Sequence, residues 1–109
     1  MSVEGTARRR VSVVVPTRNR PDLLREALAS IRALEGDDLS FEILVGDNGT
    51  DPDTGRAVEE FGAVHLKTER DGAGAARNIA LAEATGEYVA FLDDDDVWEP
   101  THIRAQISM

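Results

Sequence analysis

Cysteine is absent from the 109 residues, which excludes disulfide frameworks, iron–sulfur clusters and thiolate zinc sites. Histidine is nearly so. His65 and His102 stand far apart with no metal-ligand spacing, so each reads as a surface or strand-end residue. Basic charge is scarce: 12 Lys and Arg face 21 Asp and Glu, and the net charge of −9 argues against a nucleic-acid backbone or an anionic lipid as the main partner. An anionic ligand bridged by a metal stays compatible with it. No apolar stretch approaches the ~20 residues of a membrane span, and Met1 to Arg10 lacks the apolar segment of a secretory leader, so a soluble, cytoplasmic chain is expected. Repeats, low-complexity tracts and linkers are also missing. The length suits one domain, 1–109, with residues 1–9 as a flexible lead-in that carries most of the Arg8-Arg9-Arg10 triplet.

What is present alternates between two periodicities. Val11 to Val15 is β-branched, stops at Pro16, and predicts a strand buried on both faces. Pro21 suits a first helical position with Asn19 or Arg20 near the cap, and Leu23, Leu24, Ala27, Leu28, Ile31 and Leu34 then recur at helical spacing up to Gly36-Asp37-Asp38. Phe41 to Val45 predicts a second strand ending in the turn Gly46-Asp47-Asn48-Gly49-Thr50. Asp51 can cap a short helix with Pro52 at its first position, its Ala57, Val58 and Phe61 facing the sheet. Val64 to Leu66 predicts a brief edge strand, Asp71 to Gly74 a loop, and Ala75 to Ala84 a helix packed closely on the sheet. Tyr88 to Leu92 predicts a buried fourth strand, and Pro100 opens a further helical pattern with Ile103 and Ile107 on one side.

This alternation calls for parallel strands joined by right-handed crossovers: a Rossmann-like α/β three-layer sandwich with strand order 3-2-1-4. In that order strands 1 and 4 are neighbours, and the crevice where the order reverses brings Thr17 to the aspartates at the end of strand 4, with Asp47 lining the same crevice one strand over. Asp93 to Asp96 are four consecutive carboxylates. Held together they repel, so an ordered cluster needs solvent or a cation. Hard oxygen ligands select Mg²⁺ or Mn²⁺, which share their sphere with substrate phosphates. By composition alone the run favours a solvated acidic loop; its place outside the carboxyl end of a strand shifts the balance toward the ligand site.

Four segments taken together, Val-Val-Val-Pro-Thr-Arg-Asn (13–19), Glu-Ile-Leu-Val-Gly-Asp-Asn-Gly-Thr (42–50), Gly-Ala-Ala-Arg-Asn (74–78) and Gly-Glu-Tyr-Val-Ala-Phe-Leu-Asp-Asp-Asp-Asp-Val-Trp (86–98), resemble the nucleotide-binding half of family 2 glycosyltransferases of the GT-A fold. The resemblance implies a nucleotide-diphosphate sugar as donor, with a UDP-sugar expected and Mn²⁺ or Mg²⁺ as cofactor. It maps base and ribose contacts onto Pro16 and Thr17, and a hydrogen bond to the base onto Asp47, whose carboxylate can accept the N3–H of uracil. Arg77 maps onto the arginine near the nucleotide, where a guanidinium can fork to oxygen acceptors; read by itself it equally suits an ion pair with the acidic loop. The Asp-x-Asp motif maps onto Asp93 and Asp95. Asp95 is expected as the principal metal ligand, Asp96 as a further one and Asp94 at the nucleotide.

Asn48 stands where the family more commonly has a second aspartate, and Pro52 with Asp53 departs from its Ser-x-Asp-x-Thr run. Gly72-x-Gly74-x-x-Arg77 follows the third strand and lacks the third glycine of a dinucleotide fingerprint, and there is no Gly-Lys-Ser/Thr phosphate loop. Transfer to a hydroxyl needs a general base. In the family it lies beyond the Asp-x-Asp strand, and here only Glu99 is near, read as surface charge. Catalytic residues are thus unassigned, and a truncated domain that binds nucleotide or a partner protein, without the acceptor half, is the alternative. With strand 4 uncovered at the sheet edge, self-association through it is expected.

Overall fold

The parallel register dictates where every functional side chain falls. In the computed structural model, which describes residues 9–36, 39–70 and 72–97, the elements run β1 (Arg9–Thr17), α1 (Pro21–Arg32), β2 (Leu39–Asp47), α2 (Asp53–Glu60), β3 (Val64–Lys67), α3 (Ala73–Leu81) and β4 (Tyr88–Phe91). The sheet has the expected order β3-β2-β1-β4, and all three pairings are parallel. Side-chain alternation divides its two faces. Val11, Val13, Val15, Phe41, Ile43 and Val45 pack with Leu24, Leu28 and Ile31 of α1 and Ala57 and Val58 of α2, whereas Val14 and Leu44 pack with Ala80 of α3. The result is a three-layer sandwich with its larger core on the α1/α2 side.

Several boundaries differ from the sequence reading. β1 runs through Pro16 to Thr17, because a proline at a strand end forfeits a single ladder donor while its φ remains compatible with an extended chain. Arg9 and Arg10 accordingly open β1 and pair with Leu39 and Ser40, and do not form a lead-in. Leu23 is 40% exposed, so the buried stripe of α1 is Leu24, Ala27, Leu28 and Ile31, with Leu34 buried just past its end. α3 begins at Ala73 and ends at Leu81, so Gly74 is helical. β4 lies at the sheet edge as its place in the strand order requires, but the expectation that it is buried fails there: Tyr88, Val89 and Phe91 are exposed, and only Leu92, just beyond it, is buried. The expectations for Trp98, Glu99, the helix from Pro100, and His102 lie outside the described residues.

Three local devices hold the loops above the sheet. Asn19 sits at φ 54°, in the left-handed region that asparagine tolerates, and its Oδ1 accepts the N–H groups of Thr50 at 2.7 Å and Asp51 at 2.9 Å. It therefore caps the loop after β2 and not α1, whose first residue follows Arg20. Asp51 Oδ1 accepts the Asp53 N–H at 2.9 Å, and Pro52 already has helical backbone angles, in keeping with the cap-then-proline entry to α2. Arg25 of α1 forks to Asp53 at 2.8 and 3.0 Å and reaches Glu60 at 2.8 Å, tying α1 to α2.

Gly46 explains how closely α3 rides on β2. A Cβ there would overlap the Ala76 carbonyl, so only glycine admits the helix at this height. No described helix is long and apolar enough to cross a membrane.

Candidate functional site

At the carboxyl ends of the strands the register sets up one row of side chains. Thr17 pairs with Asp47 and Asp47 with Lys67, and continuing the β1–β4 pairing past Val14↔Phe91 brings Thr17 level with Asp94. Paired residues of a parallel ladder point to the same face. Thr17 Oγ1 accordingly donates to Asp94 Oδ2 at 2.8 Å, and both residues are buried, at 4% and 7% exposure. This is the meeting of strands 1 and 4 anticipated from the strand order. The Thr17 hydroxyl, however, is already engaged by Asp94.

A cleft of about 370 Å³ opens beside this row, within the size range of small-molecule sites. Pro16, Thr17, Arg18 and Arg20 supply one wall, Asn48 the floor toward β2, Gly72, Ala73 and Ala76 the wall from α3, and Asp93, Asp94 and Asp95 the far rim. Asp93, Asp95 and Asp96 are exposed, and each offers an oxygen within 4.8 Å of the others. Asp94 is the inward member, buried against Thr17 while still lining the cleft, and Asp93, Asp95 and Asp96 are exposed around it in a turn closed by the Asp96 N–H on the Asp93 carbonyl at 3.1 Å. Three hard carboxylate oxygens this close together, those of Asp93 and Asp95 at the rim and that of Asp96 beside them, fit a Mg²⁺ or Mn²⁺ ion that would complete its shell from water and ligand.

Asp47 is not on the cleft wall. It is 1% exposed, its Oδ1 accepts the Gly49 N–H at 2.8 Å, and its Oδ2 lies 2.9 Å from His65 Nε2 and 3.9 Å from Lys67 Nζ. The reason is again period two: Asp47 shares the α1/α2 face with Ile43 and Val45, and the next residue, Asn48, points into the cleft instead. Asn48 Nδ2 donates to the Gly72 carbonyl at 3.1 Å, which leaves its Oδ1 for a ligand, and its own N–H donates to the Thr17 carbonyl at 3.3 Å. Arg77 is half-buried on α3, does not line the cleft, and makes no ion pair among the described residues.

Sequence reasoning missed two contributors. Arg20, considered only as a helix cap, reaches Asp94 and Asp95 at 3.5 Å each. Its signal was available: the turn that places Thr17 beside Asp94 also carries Arg20 to the same rim. His65 was read as a strand-end residue without a role, and its contact with Asp47 depends on the register of β3 against β2, which the strand order does not fix.

At the opposite end of the sheet a second carboxylate is buried in donors. Partial burial raises the pKa of Glu42, but the Ser12 hydroxyl at 2.6 Å, the Thr85 N–H at 2.9 Å and hydroxyl at 2.8 Å, and Arg10 at 3.2 Å outweigh it and hold the carboxyl at about 2. Ser12 Oγ in turn accepts the Gly86 N–H at 2.8 Å. This network anchors the start of β4, and hence the aspartates at its end.

Comparison with known proteins agrees with this architecture. Residues 12–109 match the profile of Glycosyl transferase family 2. The chain is 34% identical over 103 residues to the UDP-Glc:alpha-D-GlcNAc-diphosphoundecaprenol beta-1,3-glucosyltransferase WfgD of Escherichia coli, covering 91% of this chain and 40% of that protein. Among solved structures, TarS 1-349 of S. aureus in complex with UDP-GlcNAc superposes with a TM-score of 0.76 at 32% identity, covering 91% of this chain and 30% of that one. The mannosyltransferase PcManGT of Pyrobaculum calidifontis in complex with GDP-Man and Mn2+ gives 0.75 at 33% identity, covering 94% and 32%. The chain thus spans two fifths or less of the length of these relatives, and within that span the sheet is that of the GT-A glycosyltransferases. It belongs to Glycosyl transferase family 2.

Proposed function

We propose that the cleft binds the nucleotide-diphosphate part of a sugar donor, a UDP-sugar, together with a divalent cation, Mn²⁺ or Mg²⁺, held by Asp93, Asp95 and Asp96. The observation that carries this reading is the trio of exposed carboxylates within 4.8 Å of one another, two of which, Asp93 and Asp95, line a cleft at the carboxyl ends of the strands. Relatives that hold UDP-GlcNAc, or GDP-Man with Mn2+, support it. When bound, the cation neutralises diphosphate charge, both in the complex and as the leaving group forms. The protein's own side chains bind and orient. Asn48 presents Oδ1 to the base edge, where it can accept an imino N–H. Asp47 acts one step behind, holding the Gly49 N–H and so the turn that aims Asn48. Pro16 and Thr17 pack against the base and ribose. Asp94 holds Thr17 and Arg20 in place. Arg77 approaches the nucleotide only with a change of rotamer.

Sugar transfer to an acceptor hydroxyl further requires a base and an acceptor platform. We assign these to none of the described residues, and transfer is the proposed activity of the whole protein. Titration calorimetry with UDP tests the binding step. UDP is expected to bind with Mn²⁺ and not with EDTA, and Asp95→Asn should cost on the order of 2–3 kcal/mol, as for loss of a charged contact. Asn48→Ala should weaken UDP by roughly 1 kcal/mol and leave pyrophosphate binding unchanged. Equal UDP affinity with and without EDTA would sink the reading.

A further inference from the structure

Arg20 touches the aspartate cluster from the opposite wall. Its Nη1 lies 3.5 Å from Asp94 Oδ1 and 3.5 Å from Asp95 Oδ2. The two carboxylates differ in kind. Asp94 is buried and already accepts the Thr17 hydroxyl, whereas Asp95 is 53% exposed and is one of the three carboxylates whose oxygens approach one another. Asp95 is therefore claimed twice, once by a guanidinium and once by the geometry of a cation site.

We propose that Arg20 is a resident counter-ion: it occupies Asp95 while the rim is empty, competes with the incoming divalent cation for that carboxylate, and is released toward the cleft when the cation binds. The inference rests on the reading of the cleft as a metal-dependent donor site. Its physics is elementary. A unit positive charge a few ångströms from a cation site opposes the cation, and a carboxylate oxygen shared with a guanidinium is a poorer ligand. Arg20 does not leave with the loss of Asp95, since it keeps Asp94 as an anchor and remains on the cleft wall. The donors not engaged by Asp94 then face whatever anion the cation recruits.

The consequence is a change of sign. Removing the charge at position 20 should strengthen binding of the bare cation and weaken binding of a nucleoside diphosphate in its presence. A purely structural role for Arg20 moves both affinities down or neither. Free Mn²⁺ measured by electron paramagnetic resonance gives the first affinity without nucleotide, and calorimetry with UDP at saturating Mn²⁺ gives the second. Arg20→Gln is expected to bind Mn²⁺ about threefold to thirtyfold more tightly at low salt, less at high salt, and UDP several-fold more weakly. Arg20→Lys should stay near the parent, and Asp95→Asn should lose Mn²⁺ binding.

Unchanged or weaker Mn²⁺ binding by Arg20→Gln, in a protein whose parent binds UDP with Mn²⁺, overturns the inference and leaves the donor site standing. A parent that shows no Mn²⁺-dependent UDP binding overturns both. Should Arg20→Gln fail to fold, the Nε–Hε resonance of Arg20 in the parent decides: it is expected to move on titration with Mg²⁺, and a resonance indifferent to Mg²⁺ overturns the proposal.

Discussion

Glu42 shows how one carboxylate can matter to a site it never touches. Its donors belong to β1 and to the turn that opens β4, so ionised Glu42 fixes the approach of β4 to the sheet. Its folded pKa of about 2 lies below the ordinary 4.5, so its contribution to stability is fully present above pH 4.5 and is lost as pH falls toward 2. Thermal unfolding of the parent and of Glu42→Gln should therefore differ most near neutral pH and converge between pH 4.5 and 2. A difference that is constant across that window would show that Glu42 is not ionised by this network. Residue types were legible in advance here only as a candidate list. That a glutamate in the middle of a strand would be a partly buried anion depends on Ser12 and Thr85, 30 and 43 positions away.

At the scale of elements, the position of α3 over β2 shapes one wall of the cleft, and Gly46 sets it. Gly46→Ala places a methyl group against the Ala76 carbonyl, which is backbone and cannot rotate away. The helix must lift. We expect a loss of roughly 1–3 kcal/mol in urea unfolding, accompanied by weaker nucleotide binding, since Ala73 and Ala76 line the cleft. A variant as stable as the parent would mean that α3 is free to slide. The alanine-rich composition of α3 announced close packing, whereas its start at Ala73 did not follow from composition, because Gly74 reads as a helix breaker until the tertiary fit favours it. Asn19 is similar. It was marked as a helix cap, and its left-handed backbone turns its side chain to the loop after β2 instead.

For the molecule as a whole, the edge of β4 is open among the described residues. Tyr88 is 37% exposed, Val89 42% and Phe91 49%, on a strand that pairs with β1 on one side only. Such an edge offers both free backbone groups and apolar area. We expect the 109-residue chain to self-associate through it, with light scattering showing a mass that rises with concentration and Phe91→Lys returning it to the monomer. A parent that is monomeric at high concentration, with amides of β4 that exchange slowly, would count against this.

The order of elements, the parallel sheet with strands 3-2-1-4 and the gathering of Thr17 with the aspartates could be read from the chain by itself, because periodicity, strand length and the handedness of crossovers are local or nearly local constraints. Family motifs in the right order narrowed the reading further. What only the tertiary structure decided is which side chain of each motif faces the cleft. That Asn48 and not Asp47 lines the cleft is a consequence of pleat and register, in which a shift of one residue moves a side chain to the other face of the sheet, and Arg20 joins the rim because the turn after β1 docks beside the aspartates after β4. Spacing places residues along a strand, but their direction is settled only when the neighbouring strands and helices dock.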